Sequence, residues 1–125
     1  MSERWTSGDA WVFAALPGPG DGAGLAEVVG HADMINHAVL LEAEFTQAVN
    51  RLTHAGLMTA DAGRYALTEA GRELRARSQR GRGAFGWIEA VPPVLAALGE
   101  PRDGGWALPP GAFDEAVRAY LDRAG

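Results

Sequence analysis

Residues 41–67 read LEAEFTQAVNRLTHAGLMTADAGRYAL. In the first half, Phe45, Ala48, Val49, Leu52 and Ala55 fall at offsets of three, four, seven and ten, the apolar stripe of an amphipathic helix that turns one face to a core. Gly56 stops that helix. Leu57-Met58-Thr59-Ala60 and Arg64-Tyr65-Ala66-Leu67 follow as two short strand-like runs. Asp61-Ala62-Gly63 between them suits a three-residue bulged hairpin loop whose glycine turns left-handed.

Helix, glycine stop and hairpin form the second half of a winged helix-turn-helix, and the upstream residues supply the rest. From Leu25 to about Ile35, the residues Leu25, Val28, Val29 and Ala32 share one side of a helix. Gly30 in its middle costs about 1 kcal/mol relative to Ala, so a close packing contact or a bend is expected there. Asn36-His37 ends this helix, and Ala38-Val39-Leu40 is a brief turn into the next, the helix-turn-helix unit. No strong N-cap precedes Glu42, so the start of the third helix is weakly marked. Ahead of these, Ser7-Gly8-Asp9 offers N-cap candidates for a first helix with Trp11, Val12, Ala15 and Leu16 on one face. Pro17 to Gly24 holds four Gly and two Pro and reads as a surface loop. It lacks the Gly-Lys-Ser/Thr that a phosphate-cradling loop needs.

Downstream, Thr68 caps a fourth helix, Glu69 complements its dipole, and Gly71 can lie close against the wing or the third helix. The glycine- and arginine-bearing run from Ser78 to Gly86 reads as a hinge or a frayed end. Phe85, Trp87, Ile88, Val91, Val94, Leu95 and Leu98 are interrupted by Pro92-Pro93, which predicts a short helix from Pro92 or a kinked one from Gly86. Gly99 to Pro109 is a turn-rich connection with Trp106 and Leu108. Pro110 begins a last helix striped by Phe113, Ala116, Val117, Tyr120 and Leu121. The fold expected is mainly α with a small β-hairpin wing. A winged helix-turn-helix core spans 1–80, and a C-terminal helical extension spans 81–125, packed on the core or on a dimer partner.

With 125 residues, 47% of them hydrophobic and 22% charged, the chain has the makings of one globular domain. It has no cysteine, which excludes disulfides and thiolate metal sites. No run approaches the roughly 18 apolar residues of a membrane span, and MSERWTSGDAW is not a basic segment followed by an apolar one, so a cytoplasmic location is expected. The net charge of −5 is uneven: two Arg face eight acids in 1–63, six Arg face two Glu in 64–82, and three Arg face six acids in 83–125. Basic charge therefore begins at the wing.

Arg51-Leu52 with Gly56-Leu57, and Tyr65-Ala66-Leu67-Thr68 with Gly71, match the "R-L-x-x-x-G-L" helix end and the "Y-x-L-T-x-x-G" wing closure of MarR-type and PadR-type winged helix-turn-helix regulators. Residues of about 10–80 resemble that family. The resemblance implies a DNA-binding transcriptional regulator, a homodimer built through terminal helices, and an effector pocket beside the DNA-reading face.

The residues themselves offer chemistry for such a role. The third helix, about 42–55, places Gln47, Asn50, Arg51 and His54 on a stripe roughly opposite the core stripe, with Thr46 beside it. Gln and Asn pair bidentately with adenine and Arg with guanine, so this stripe suits the major groove of double-stranded DNA. Arg64 on the wing (57–67), with Arg72, Arg75 and Arg77, offers phosphate contacts. A plain solvated face explains the same residues. The rival reading is a winged helix that does not bind DNA and takes a protein or a small molecule; Glu42, Glu44 and Asp61 favour it, as does the pI of 5.1.

Other chemistry is sparse. Ser2, Ser7 and Ser78 lie in terminal or hinge segments, and Glu42 and Glu44 point about 200° apart on a helix, so no catalytic constellation forms and no enzyme is expected. His31, Asp33 and His37 are metal-ligand types, but the two histidines are six residues apart on different helix sides, so capping or surface roles are expected, with no metal and no cofactor. Trp5, Trp11, Trp87 and Trp106 flank the winged part and fill the core or line a ligand pocket or dimer interface.

Overall fold

The computed structural model describes residues 4–81 and 86–124. Residues 82–85 of the expected hinge, Arg82 and Phe85 among them, like Ser2, lie outside the described residues. Six helices and one hairpin follow in the order α1 (Ser7–Ala15), α2 (Leu25–Asn36), α3 (Glu42–His54), β1 (Met58–Asp61), β2 (Arg64–Leu67), α4 (Glu69–Gln79), α5 (Val91–Ala96) and α6 (Ala112–Ala124). A 3-10 helix, Gly86–Ala90, leads into α5. The architecture is mainly helical with a small antiparallel hairpin wing.

At the start of α1 the cap is Thr6 rather than Ser7 to Asp9. Its hydroxyl accepts from the Asp9 amide at 3.1 Å, and the Asp9 carboxylate accepts from the Thr6 amide at 2.9 Å, a reciprocal capping box. Ala10, Trp11, Val12, Phe13 and Ala15 are all buried, so α1 presents apolar side chains on nearly every face. Such a helix needs cover all round, and α2, α3 and α5 provide it. α2 follows, with Val28, Val29 and Ala32 inside, and residues 37–41 turn the chain into α3. Gly30 marks a close contact: a Cβ there would lie 3.0 Å from the Tyr120 ring of α6.

The wing differs from its expected form in one detail. Asp61 pairs with Arg64, leaving a two-residue turn of Ala62 (φ 51°) and Gly63 (φ 73°). Two successive positive φ values give the primed turn that matches strand twist, so no bulge is needed. The glycine- and proline-rich loop is more than surface: buried Ala23 exchanges two backbone hydrogen bonds of 2.9 Å with Tyr65, and Leu67 donates to Pro17 at 2.9 Å. These bonds tie the wing to the body. Thr68 caps α4 through the Gly71 amide at 3.1 Å, and a Cβ on Gly71 would overlap the Leu57 carbonyl oxygen.

The C-terminal extension shares a single hydrophobic core with the winged part. Trp87, Val91, Leu95 and Phe113 belong to the same buried cluster as Phe13, Phe45, Leu52 and Tyr65. Pro92 and Pro93 sit in the first turn of α5, where no intrahelical donor is needed, so both expected alternatives combine: a 3-10 turn from Gly86 and a helix at the prolines. The last helix starts at Ala112, two residues beyond Pro110. Trp5, Trp11 and Trp87 are buried, and Trp11 and Trp5 donate their indole N–H to the Ala32 and Gly99 carbonyls at 2.7 and 3.0 Å.

Candidate functional site

The third helix is built as its periodicity dictates, and Phe45, Ala48, Val49 and Leu52 are fully buried. The polar stripe is not what the sequence suggests. Asn50 is 7% and Arg51 5% exposed. The expectation that both lie open on a groove-reading face is therefore corrected. Arg51 Nη1 donates to the Asp9 carboxylate at 2.8 Å and to the Arg4 carbonyl at 3.0 Å, while its Nε lies 4.0 Å from Asp103. Asp9 is itself wholly buried, and its second oxygen, Oδ1, has no hydrogen-bond partner among the described residues. A buried guanidinium and a buried carboxylate hold each other because neither tolerates a dry interior alone.

Asn50 uses both ends of its amide on one residue of the connection before α6. Its Nδ2 donates to the Trp106 carbonyl at 2.7 Å and to the Thr46 carbonyl at 2.9 Å, and its Oδ1 accepts from the Trp106 amide at 2.6 Å. Residues 103–106 are thereby laid across α3, so closely that a Cβ on Gly104 would sit 3.3 Å from the Asn50 carbonyl oxygen. The half-buried Trp106 ring meets Phe45 and Tyr65 edge-on, each at 6.0 Å between centroids. The same burial pushes the Tyr65 phenol above its ordinary pKa.

The remaining members of the stripe separate. Thr46 is half-buried, and Gln47 and His54 are exposed. Thr46 and Gln47 line an open cleft with Glu42, Asp103 and Trp106, so acids border this part of the stripe. The expected phosphate contacts have internal bonds as well. Arg64 donates to the Asp21 and Gly22 carbonyls at 3.2 and 2.7 Å, Arg72 to the Glu69 carboxylate at 3.1 and 3.0 Å, and Arg75 to the Leu16 carbonyl at 2.5 Å. Burial draws the Arg75 guanidinium below its usual pKa. Arg77 is exposed on α4.

The histidine and aspartate group at the end of α2 is dispersed. His31 Nδ1 faces the Ala15 carbonyl at 3.1 Å, Asp33 accepts from the Tyr120 hydroxyl at 2.5 Å, and His37 is the left-handed C-cap of α2. Tyr120 holds its proton more tightly than usual, chiefly through that bond to Asp33.

A different surface collects exposed apolar side chains. Val39 and Leu41 on the α2–α3 turn and Leu121 on α6 are 42%, 64% and 49% exposed, and all three line one groove of about 550 Å³. Glu42, Asp114 and Asp122 border it, with Arg118 as the one cation among the described residues of its lining. Sequence reading includes Leu121 in the α6 stripe and Val39 in the turn but does not bring them together. Asp9 could have been noticed as an acid in an apolar helix; nothing local signals the Trp106 main-chain contact.

Comparison of the chain with family models, curated proteins and solved structures returns no match.

Proposed function

We propose that the chain is a winged-helix module that binds a protein, in preference to reading DNA bases, and that its partner presents a cationic amphipathic helix to the groove between the α2–α3 turn and α6. The observation that carries this reading is the gathering of Val39, Leu41 and Leu121 in one groove bordered by Glu42, Asp114 and Asp122. Exposed apolar side chains gathered in a concavity mark interaction sites, and helix-in-groove docking uses such a surface. Three carboxylates against one guanidinium favour lysine or arginine on the incoming helix. The internal bonds of Asn50 and Arg51 weigh against base reading by α3. No helix among the described residues is long and apolar enough to cross a membrane, and a chain without cysteine fits the reducing cytoplasm in which such a module would work.

The test uses a fluorescein-labelled amphipathic peptide of leucine and lysine, about 18 residues long, beside a peptide with glutamate for lysine. The lysine peptide is expected to bind saturably and at least about tenfold more tightly than the glutamate one. A Leu41→Asp/Leu121→Asp chain should lose that binding. Equal binding of the two peptides, or indifference to the double substitution, overturns the proposal. So does salt-sensitive enrichment of one sequence from a random duplex DNA pool that Gln47→Ala abolishes, which returns α3 to the major groove.

A further inference from the structure

The contact between α3 and residues 104–108 has the form of a ligand in a site. Asn50 reads the N–H and C=O of a single residue, the way one strand reads its neighbour, although its own backbone is helical. The occupant is irregular chain between α5 and α6. Three of its side-chain positions meet distinct surroundings. At Gly104 there is room only for a small residue, since a Cβ would lie 3.3 Å from the Asn50 oxygen and 3.5 Å from Thr53 Oγ1. At Trp106 an aromatic ring meets the edges of Phe45 and Tyr65. At Leu108 an aliphatic side chain lines a small pocket with Leu25, Ala60 and Tyr65.

We propose that this face of α3 is a peptide-recognition site for an irregular segment of the pattern small–Gly–aromatic–x–aliphatic, whose glycine takes the left-handed turn seen at Gly105 (φ 80°), and that residues 104–108 occupy it as an internal copy of the ligand. The inference is independent of the apolar groove, which lies between the α2–α3 turn and α6. The partner is a protein carrying that pattern in a region free of helix and strand. Its backbone pairs with Asn50, its aromatic residue replaces Trp106 between Phe45 and Tyr65, and the internal segment is displaced. Because the internal copy is tethered, its effective concentration is high, and a free peptide binds the closed chain weakly.

A fluorescein-labelled peptide PRDGGWALPP, the sequence of residues 101–110, is the probe. It is titrated into the full chain and into a Gly104→Val/Trp106→Gly variant, in which the internal segment is crowded at one position and has lost its anchor at another. Folding of the variant is checked by far-ultraviolet circular dichroism. The variant is expected to bind the peptide at least about tenfold more tightly than the unaltered chain, and adding Asn50→Leu should reverse that gain. A peptide with glycine in place of tryptophan should bind neither. Equal affinity for variant and unaltered chain, or no effect of Asn50→Leu, overturns the proposal. If the variant does not fold, the unaltered chain decides: with isotope-labelled protein, millimolar unlabelled peptide must shift the Asn50 amide and Trp106 indole resonances. Unmoved resonances reject the site, and so does a chain that dimerises by exchanging this segment while ignoring the peptide.

Discussion

Two surfaces of this molecule invert the usual placing of side chains. On α3, Asn50 and Arg51 are buried at 7% and 5% exposure, whereas on the α2–α3 turn and α6, Leu41 and Leu121 are left 64% and 49% exposed. The buried pair is tolerated because its amide and guanidinium meet specific partners inside: the Asp9 carboxylate, the Arg4 carbonyl and both main-chain groups of Trp106. The exposed pair is tolerated because water charges little for a few apolar side chains at a surface. Polar burial makes a demand on geometry, and apolar exposure leaves a vacancy for a partner.

The sharpest way to break this contrast is Arg51→Met. It leaves Asp9 charged and buried without its cation, and the cost in urea unfolding should be about 3–5 kcal/mol. Combining it with Asp9→Leu should recover more than half of the loss, because the orphaned charge disappears. A loss below about 1 kcal/mol for the single change would mean that the pair is solvated and the contrast false. Next in size is Asn50→Leu, which strands the amide and carbonyl of Trp106. An unfolding cost of about 1–3 kcal/mol is expected, with a red shift in tryptophan emission as Trp106 loosens. No emission change would place the segment off α3.

A smaller effect belongs to the exposed side of the comparison. Tyr120 anchors α6 to α2 through Asp33, one residue before Leu121. Its folded pKa is raised above 10.0, so its stabilisation is complete below pH 10 and is lost as pH rises through the folded value. Stability followed by chemical unfolding should therefore fall in alkali. Tyr120→Phe should flatten part of that fall, leaving the share of Tyr65, whose pKa is also raised. An unchanged alkaline slope would detach the phenol from the docking of α6. Smallest of all, Leu41→Asp or Leu121→Asp should alter unfolding by no more than about 0.5 kcal/mol. A larger cost would show that the groove is core, without a vacancy to fill.

Much of the fold was legible because its causes are local. The stripe of α3, the cap at Thr68 and the stop before Leu57 each follow from residues within a turn or two, whereas the close approaches at Gly30 and Gly71 are made by Tyr120 and Leu57, distant in sequence. The wing was legible too, except for its loop, where pairing of Asp61 with Arg64 shortened three residues to two. The candidate sites were legible only in part. Gln47 and His54 are exposed as their spacing suggests, but Asn50 and Arg51 stand on an arc of α3 that a second covering body reaches. That body is α1 with residues 103–106, distant from α3 in sequence by 42 positions at Asp9 and by 56 at Trp106.

By itself the sequence determined the elements: hydrophobic spacing, caps and turn residues act over a few positions and leave little choice between helix, strand and loop. Only the tertiary structure decided which polar side chains became internal partners and which apolar ones stayed at the surface. Burial is a property of everything that converges on a residue, and a helix's own period describes a single direction of approach. For Arg51 the deciding neighbour was a carboxylate one helix-pair away, and for Asn50 it was the main chain of Trp106, whose side-chain identity carries no sign of the bond.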